Sequence, residues 1–170
     1  MEPWPDERRA LAEDLRRIVG SRVLDPLDIL LGADDPFGAS ESERLRERLE
    51  ARSRAWADVL FGQDDQKAAY LAIRLVSALY PSDAPFDPPV GWWSTPLGRA
   101  VARRAGHPSA SAVPVSVAAA MLGITRQGVH DLLRRRKLDR AASDGGVTTS
   151  SIHARLSSRG DQPAITTRRP

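Results

Sequence analysis

The stretch GITRQGVHDLLRRRKL, residues 123–138, gathers the side chains in this chain best suited to meet an anion or the edge of a base. Arg134, Arg135, Arg136 and Lys137 are four consecutive cations, and Arg126, Gln127 and His130 precede them. Guanidinium and ammonium groups pair with phosphate oxygens, an arginine fork matches guanine O6 and N7, and a glutamine amide matches adenine N6 and N7. RRRK alone could equally belong to a solvated basic helix, which would bind DNA weakly and without preference among sequences. The question is whether the surrounding residues hold these groups in a fixed frame.

Local signals predict such a frame. Ser116 is expected to cap a helix from Val117 to Leu122, Gly123 to supply a left-handed turn, and Thr125 to cap a second helix from Arg126 to about Arg136. Ala118, Ala119, Leu122, Ile124, Val129, Leu132 and Leu133 then face inward when the two helices cross at a large angle, with Ala119 small where the second helix passes over. Downstream, LDRAASDGGVTTSSIHARL reads as a strand over Leu138–Ala142, a turn over Ser143–Gly146 and a short strand over Val147–Thr149. A helix capped by Ser150 or Ser151 follows, with Ile152 and Leu156 packing back on the helix pair.

Residues 115–156 resemble the winged helix-turn-helix of the MerR and excisionase DNA-binding families. The family pattern Ser-Val-Ala-x-x-x-Leu-Gly-(Val/Ile)-(Ser/Thr)-Arg-x-x-Val stands here as Ser116-Val117-Ala118, Leu122-Gly123-Ile124-Thr125-Arg126 and Val129. The resemblance covers about a quarter of the chain. It implies binding to double-stranded DNA, with the helix from Arg126 in the major groove and Arg140 near the wing's phosphate contacts. SSRGDQPAITTRRP follows, so a counterpart of the dimerisation coiled coil of MerR proteins is not expected, and their effector and promoter-twisting behaviour is not carried over.

Geometry divides the roles within the second helix. Thr125, as its cap, stands at the groove end with Arg126, Gln127 and His130, whose side chains can reach base edges. Arg134, Arg135, Arg136 and Lys137 lie further along and meet phosphates, setting affinity rather than sequence. Gly128 costs roughly 1 kcal/mol of helix propensity relative to alanine.

The rest of the chain divides by charge. Residues 1–95 carry 12 basic and 18 acidic side chains, a net of −6, and residues 96–170 carry 13 and 4, a net of +9. An acidic half joined to a basic half suggests two tasks, the basic half meeting a polyanion. Helices are predicted from Pro5 to about Gly20, from an Asp25-Pro26 start through Leu31 with Gly32 as the stop, from Ser40 to Phe61, and from about Asp64 to Tyr80. Ala68, Leu71, Ala72, Leu75, Val76 and Leu79 give the last of these the most apolar face in the chain. ADDPFGAS reads as a loop, PSDAPFDPPVGWW (81–93) as an extended connector, PLGRAVARRAG as a helix begun by Ser94 or Thr95, and GHPSASAVP (106–114) as a linker.

The expected architecture is mainly α. An acidic helical domain (1–93) for self-association or partner binding leads through a helix and linker (94–114) to the winged helix-turn-helix (115–158) and a disordered tail (159–170). Trp92 and Trp93 either close the N-terminal core or present an aromatic anchor to a protein partner.

Several classes are disfavoured. Cysteine is absent, which removes disulfides, thiolate zinc sites and thiol nucleophiles. Asp34/Asp35 and Asp64/Asp65 read as charge placement at helix starts and loops rather than a metal site, and His107, His130 and His153 are too scattered for a ligand set and are expected at the surface or in a groove. No catalytic residue, metal or cofactor is expected. The charged start MEPWPDERRA and the short apolar runs predict neither a signal peptide nor a membrane span, hence a cytoplasmic protein. Lysine occurs only at Lys67 and Lys137 against abundant arginine, a bias of high-GC bacterial genomes. The expected function is that of a sequence-specific DNA-binding regulator acting as a homo-oligomer or cooperative array. The alternative is an interaction adaptor, phage-related, antitoxin-like or excisionase-like, whose residues 1–95 grip a protein.

Overall fold

The computed structural model describes residues 4–31, 39–142 and 145–160. Gly32, most of the ADDPFGAS loop, the Ser143–Asp144 tip and the tail from 161 lie outside the described residues. The chain is mainly helical, with one small two-stranded antiparallel sheet.

The N-terminal half is built from α1 (Trp4–Val19), α2 (Asp25–Leu31), α3 (Ala39–Leu60) and α4 (Asp65–Leu79). Gly20 does not stop the first helix and Asp25 does not cap the second. A π-helical turn over Gly20–Leu24 joins α1 to α2 without a break, the Asp25 N–H reaching back to the Gly20 carbonyl. Pro26 supplies the reason. It has no N–H to give the preceding turn and its ring crowds a regular helix, and a widened turn immediately before it relieves both.

Leu11, Leu15 and Ile18 of α1 share one core with Ala57 and Leu60 of α3, and the predicted apolar face of α4 joins it by packing on α3 and α5. Asp64 caps α4 by accepting the Lys67 N–H at 2.9 Å, and Asp65 pairs with Arg104 at 2.6 Å. The Arg104 fork also donates to the carbonyls of Leu60 (2.7 Å) and Gly62 (2.8 Å), closing the end of α3. The Leu60 carbonyl is one of the unsatisfied acceptors every helix leaves at its C-terminus.

The proline-rich connector ends in a 3-10 turn, Val90–Ser94, followed by α5 (Pro96–Arg104). Thr95 caps α5, its hydroxyl accepting the Gly98 N–H at 3.1 Å. A second cap comes from far away in sequence: Asp14 of α1, 8% exposed, accepts the Leu97 N–H at 3.1 Å and an Arg17 N–H at 2.7 Å. A carboxylate at a helix N-terminus satisfies an orphan donor and matches the helix dipole.

The expected boundaries at 93 and 114 mark no break in packing among the described residues. Trp93, Leu97 and Val101 are buried, and one contiguous core runs from Leu11 to Ile152 through them. Nor is 106–114 a plain linker. It contains β1 (Ala112–Val113), and the half-buried His107 lies against Trp93 with ring centroids 5.0 Å apart. Burial lowers the pKa of His107, and its Nδ1 accepts the Ala110 N–H at 3.0 Å. No helix among the described residues is long and apolar enough to cross a membrane.

Candidate nucleic-acid interface

β1 runs directly into α6 (Val115–Leu122), which a tight turn joins to α7 (Arg126–Arg134); β2 (Val147–Thr148) and α8 (Thr149–Gly160) follow. Ser116 does not cap α6. The helix begins two residues earlier than expected, at Val115, with the Pro114 carbonyl accepting the Ala118 N–H at 3.0 Å, so Ser116 sits inside the first turn.

The turn matches its sequence signals. Gly123 adopts φ 64° and ψ 35°, its N–H reaches the Ala120 carbonyl (3.2 Å), and the Ile124 N–H reaches that of Ala119 (3.0 Å). This paired closure is the Schellman arrangement, which needs a left-handed residue at the position Gly123 fills. Thr125 then caps α7, accepting the Gly128 N–H at 3.1 Å. A Cβ on Gly128 would meet Ile124 and Thr125 side-chain atoms at 3.4 Å, ordinary contact, so packing does not require glycine there.

α7 ends at Arg134 rather than near Arg136. The Arg136 and Lys137 N–H groups return to the carbonyls of Leu133 (3.1 Å) and Leu132 (2.8 Å), the same closure as at Gly123. Here the left-handed position is occupied by Arg136 itself, at φ 53°, the one non-glycine residue with positive φ among the described residues. Arg135, Arg136 and Lys137 are thus carried off the helix axis.

An L-residue in that conformation is strained by about 1–2 kcal/mol. Arg136→Gly should therefore raise unfolding free energy by up to about 1 kcal/mol, the gain being trimmed by the greater freedom of an unfolded glycine. Urea unfolding checks it, and a loss of stability would contradict the strain assignment.

Val129 (0% exposed) and Leu133 (9%) fasten α7 from beneath, with Leu132 and Ile124 half-buried beside them. Thr125, Arg126, Gln127, His130, Arg134, Arg135, Arg136 and Lys137 are all exposed. The acidic residue of α7 is Asp131, whose carboxylate accepts from Arg134 at 2.8 Å and from Gln127 at 3.4 Å. Both partners must leave it to reach a nucleic acid, an exposed interaction worth at most about 1 kcal/mol.

Beyond α7 the chain turns back through a narrow hairpin. The expected strand over Leu138–Ala142 contracts to a single bridge between Arg140 and Val147, flanked by bonds from Ala141 N–H to Gly146 and from Thr148 N–H to Asp139, each 2.9 Å. Arg140 is exposed and donates to the Gly145 carbonyl across the hairpin (3.4 Å). Val147 also faces β1, where Val113 pairs with Val147 and Ala112 with Thr148.

β2 ends at Thr148 because Thr149 enters α8, so Ser150 and Ser151 lie inside that helix instead of capping it. The Ser151 hydroxyl braces the hairpin, accepting the Asp139 N–H at 3.1 Å, and Thr149 ties it to the segment before β1 through the carbonyls of Ser111 and Ala110. Ile152, with Leu156 half-buried, packs back on the core as expected.

Of the two tryptophans, Trp93 is 1% exposed and offers no face to a partner. Trp92 is half-buried, its indole N–H donating to the Tyr80 hydroxyl at 3.0 Å. Among the described residues no group of three or more His, Asp or Glu side chains could hold a metal ion. No protein-family model, curated protein or solved structure matches the chain.

Proposed function

We propose that this chain binds double-stranded DNA with sequence preference and acts as a bacterial transcriptional regulator. Residues 115–158 form a winged helix-turn-helix of the MerR and excisionase type, and α7 enters the major groove. The observation that carries the reading is the two-sidedness of α7. Its inner face is locked by Val129 and Leu133, while Arg126, Gln127 and His130 towards its N-terminal end are exposed, with four cations following. A rigid base-reading face followed by phosphate-binding charge is what direct readout needs.

One such module spans a short site, so tight binding calls for two copies or a cooperative array. The exposed Leu27, Ile29 and Leu30 of α2, and Tyr70 and Ile73 of α4, give the acidic half apolar surface for self-association. The same surface favours the second reading, an adaptor whose acidic half grips a protein.

Salt dependence tests the electrostatic part. With Arg134, Arg135, Arg136, Lys137 and Arg140 neutralising roughly five phosphates, log affinity should fall against log salt with a slope near −4.5. Fluorescence anisotropy on a labelled duplex measures it. A slope shallower than about −2 would remove the interface from this face of the molecule.

A further inference from the structure

The acidic half holds a cleft of about 820 Å³ between the end of α1, the π-turn and the proline-rich connector. Its volume lies in the range of small-molecule sites. We propose that it binds an aromatic carboxylate.

The charges around the cleft select an anion. Arg17 is already committed to Asp14 at 2.7 Å, and Asp87 is the one acid in the lining. Arg22 remains. Its guanidinium lies 4.3 Å from the Tyr80 ring centroid and spends one N–H on the Leu79 carbonyl (3.3 Å), with no ion pair among the described residues. The ring lies beneath the guanidinium, and its four other N–H groups can meet a carboxylate, the partner its fork fits best.

The rest of the wall selects an aromatic body. Phe86 and Trp92 meet edge to face at 5.1 Å and Tyr80 and Trp92 at 5.8 Å, while Pro81, Pro85, Pro88 and Pro89 stiffen the rim. A preformed apolar wall costs little to order on binding. A proline-rich peptide fits less well, because recognising one needs a free donor between the rings and the Trp92 N–H is spent on Tyr80. The cleft is also wired to the helix pair: Trp92 belongs to the 3-10 turn, and that turn packs directly on α6.

The test uses the full chain in two-dimensional amide NMR, with benzoate, phenylacetate and indole-3-acetate each titrated to about 10 mM against its neutral amide. The expected result is a saturable shift of the Trp92 indole signal, identified by Trp92→Phe, together with shifts along α6. At least one acid should bind about tenfold or more tightly than its amide, since a charge-assisted hydrogen bond is lost in the amide. Arg22→Gln should erase that preference while leaving the remaining spectrum in place. Absence of saturable shifts with all three acids, equal binding of acids and amides, or stronger shifts from a decaproline peptide would each overturn the proposal. The acid and amide comparison on the unaltered chain decides the matter even if Arg22→Gln disturbs the fold.

Discussion

Gly98→Ala should cost about 3 kcal/mol or more, reversing the sign usually expected for this substitution in a helix. Alanine ordinarily gains up to about 1 kcal/mol over glycine inside a helix. Here a Cβ would stand 2.1 Å from the Trp92 carbonyl oxygen and 2.9 Å from the Trp93 Cα. Those are backbone atoms, and the Trp92 oxygen is held by the Thr95 N–H (3.0 Å) and hydroxyl (2.7 Å). Nothing flexible can yield. Overpacking costs typically 1–3 kcal/mol and more where the obstacle is fixed, against total stabilities of about 5–15 kcal/mol.

The 3-10 turn carries Trp93 into the core and packs on α6, so both halves of the chain should lose stability in one transition. Urea unfolding of Gly98→Ala beside Gly91→Ala, whose Cβ would meet nothing within 4 Å, is the controlled comparison. A midpoint for Gly98→Ala equal to that of Gly91→Ala would contradict the packing assigned to this turn.

Arg126→Ala and Arg135→Ala should weaken DNA binding in different ways. Arg126 is the exposed first residue of α7, directly after the Thr125 cap, on a helix that Val129 and Leu133 anchor in the core. If it reads guanine, its loss removes about 1–3 kcal/mol of discrimination at one base position. Arg135 lies past the last helical residue, where the backbone turns away. Its loss should weaken all sequences alike and reduce the salt slope by about 1. Electrophoretic shifts on a preferred duplex and its single-base variants separate the two. An Arg126→Ala protein that keeps full preference at every position would remove Arg126 from base reading.

The groups proposed to touch DNA were legible because their signals are local. A glycine, a threonine cap three residues before its acceptor bond, and aliphatics at helical spacing specify the turn at Gly123–Thr125 and the inward set of Val129 and Leu133 without reference to the rest of the chain. The apolar stripe of α4 was legible for the same reason. What the sequence concealed depends on distant partners.

Asp14 serves a helix 83 residues away, and Arg104 closes the end of α3 more than 40 residues earlier. Neither differs in local context from any other surface charge on a helix. β1 is two residues long and forms because Val147 arrives beside Val113, so small turn-forming neighbours read as a linker. No neighbour in sequence marks Gly98 as obligatory; only the approach of Trp92 makes it so. α7 ends before RRRK is complete, despite the helix propensity of those residues, because the closure through Leu132 and Leu133 turns the chain at Arg136.

The central claim is that α7 reads base sequence, and selection from a random duplex library by the purified full chain addresses it most directly. The predicted result is enrichment of a short motif, or of two copies at a fixed spacing, whose preference at one position disappears with Arg126→Ala. Recovery of an unenriched library, with every duplex bound equally at a given salt concentration, would contradict it and leave α7 as a basic helix without a code.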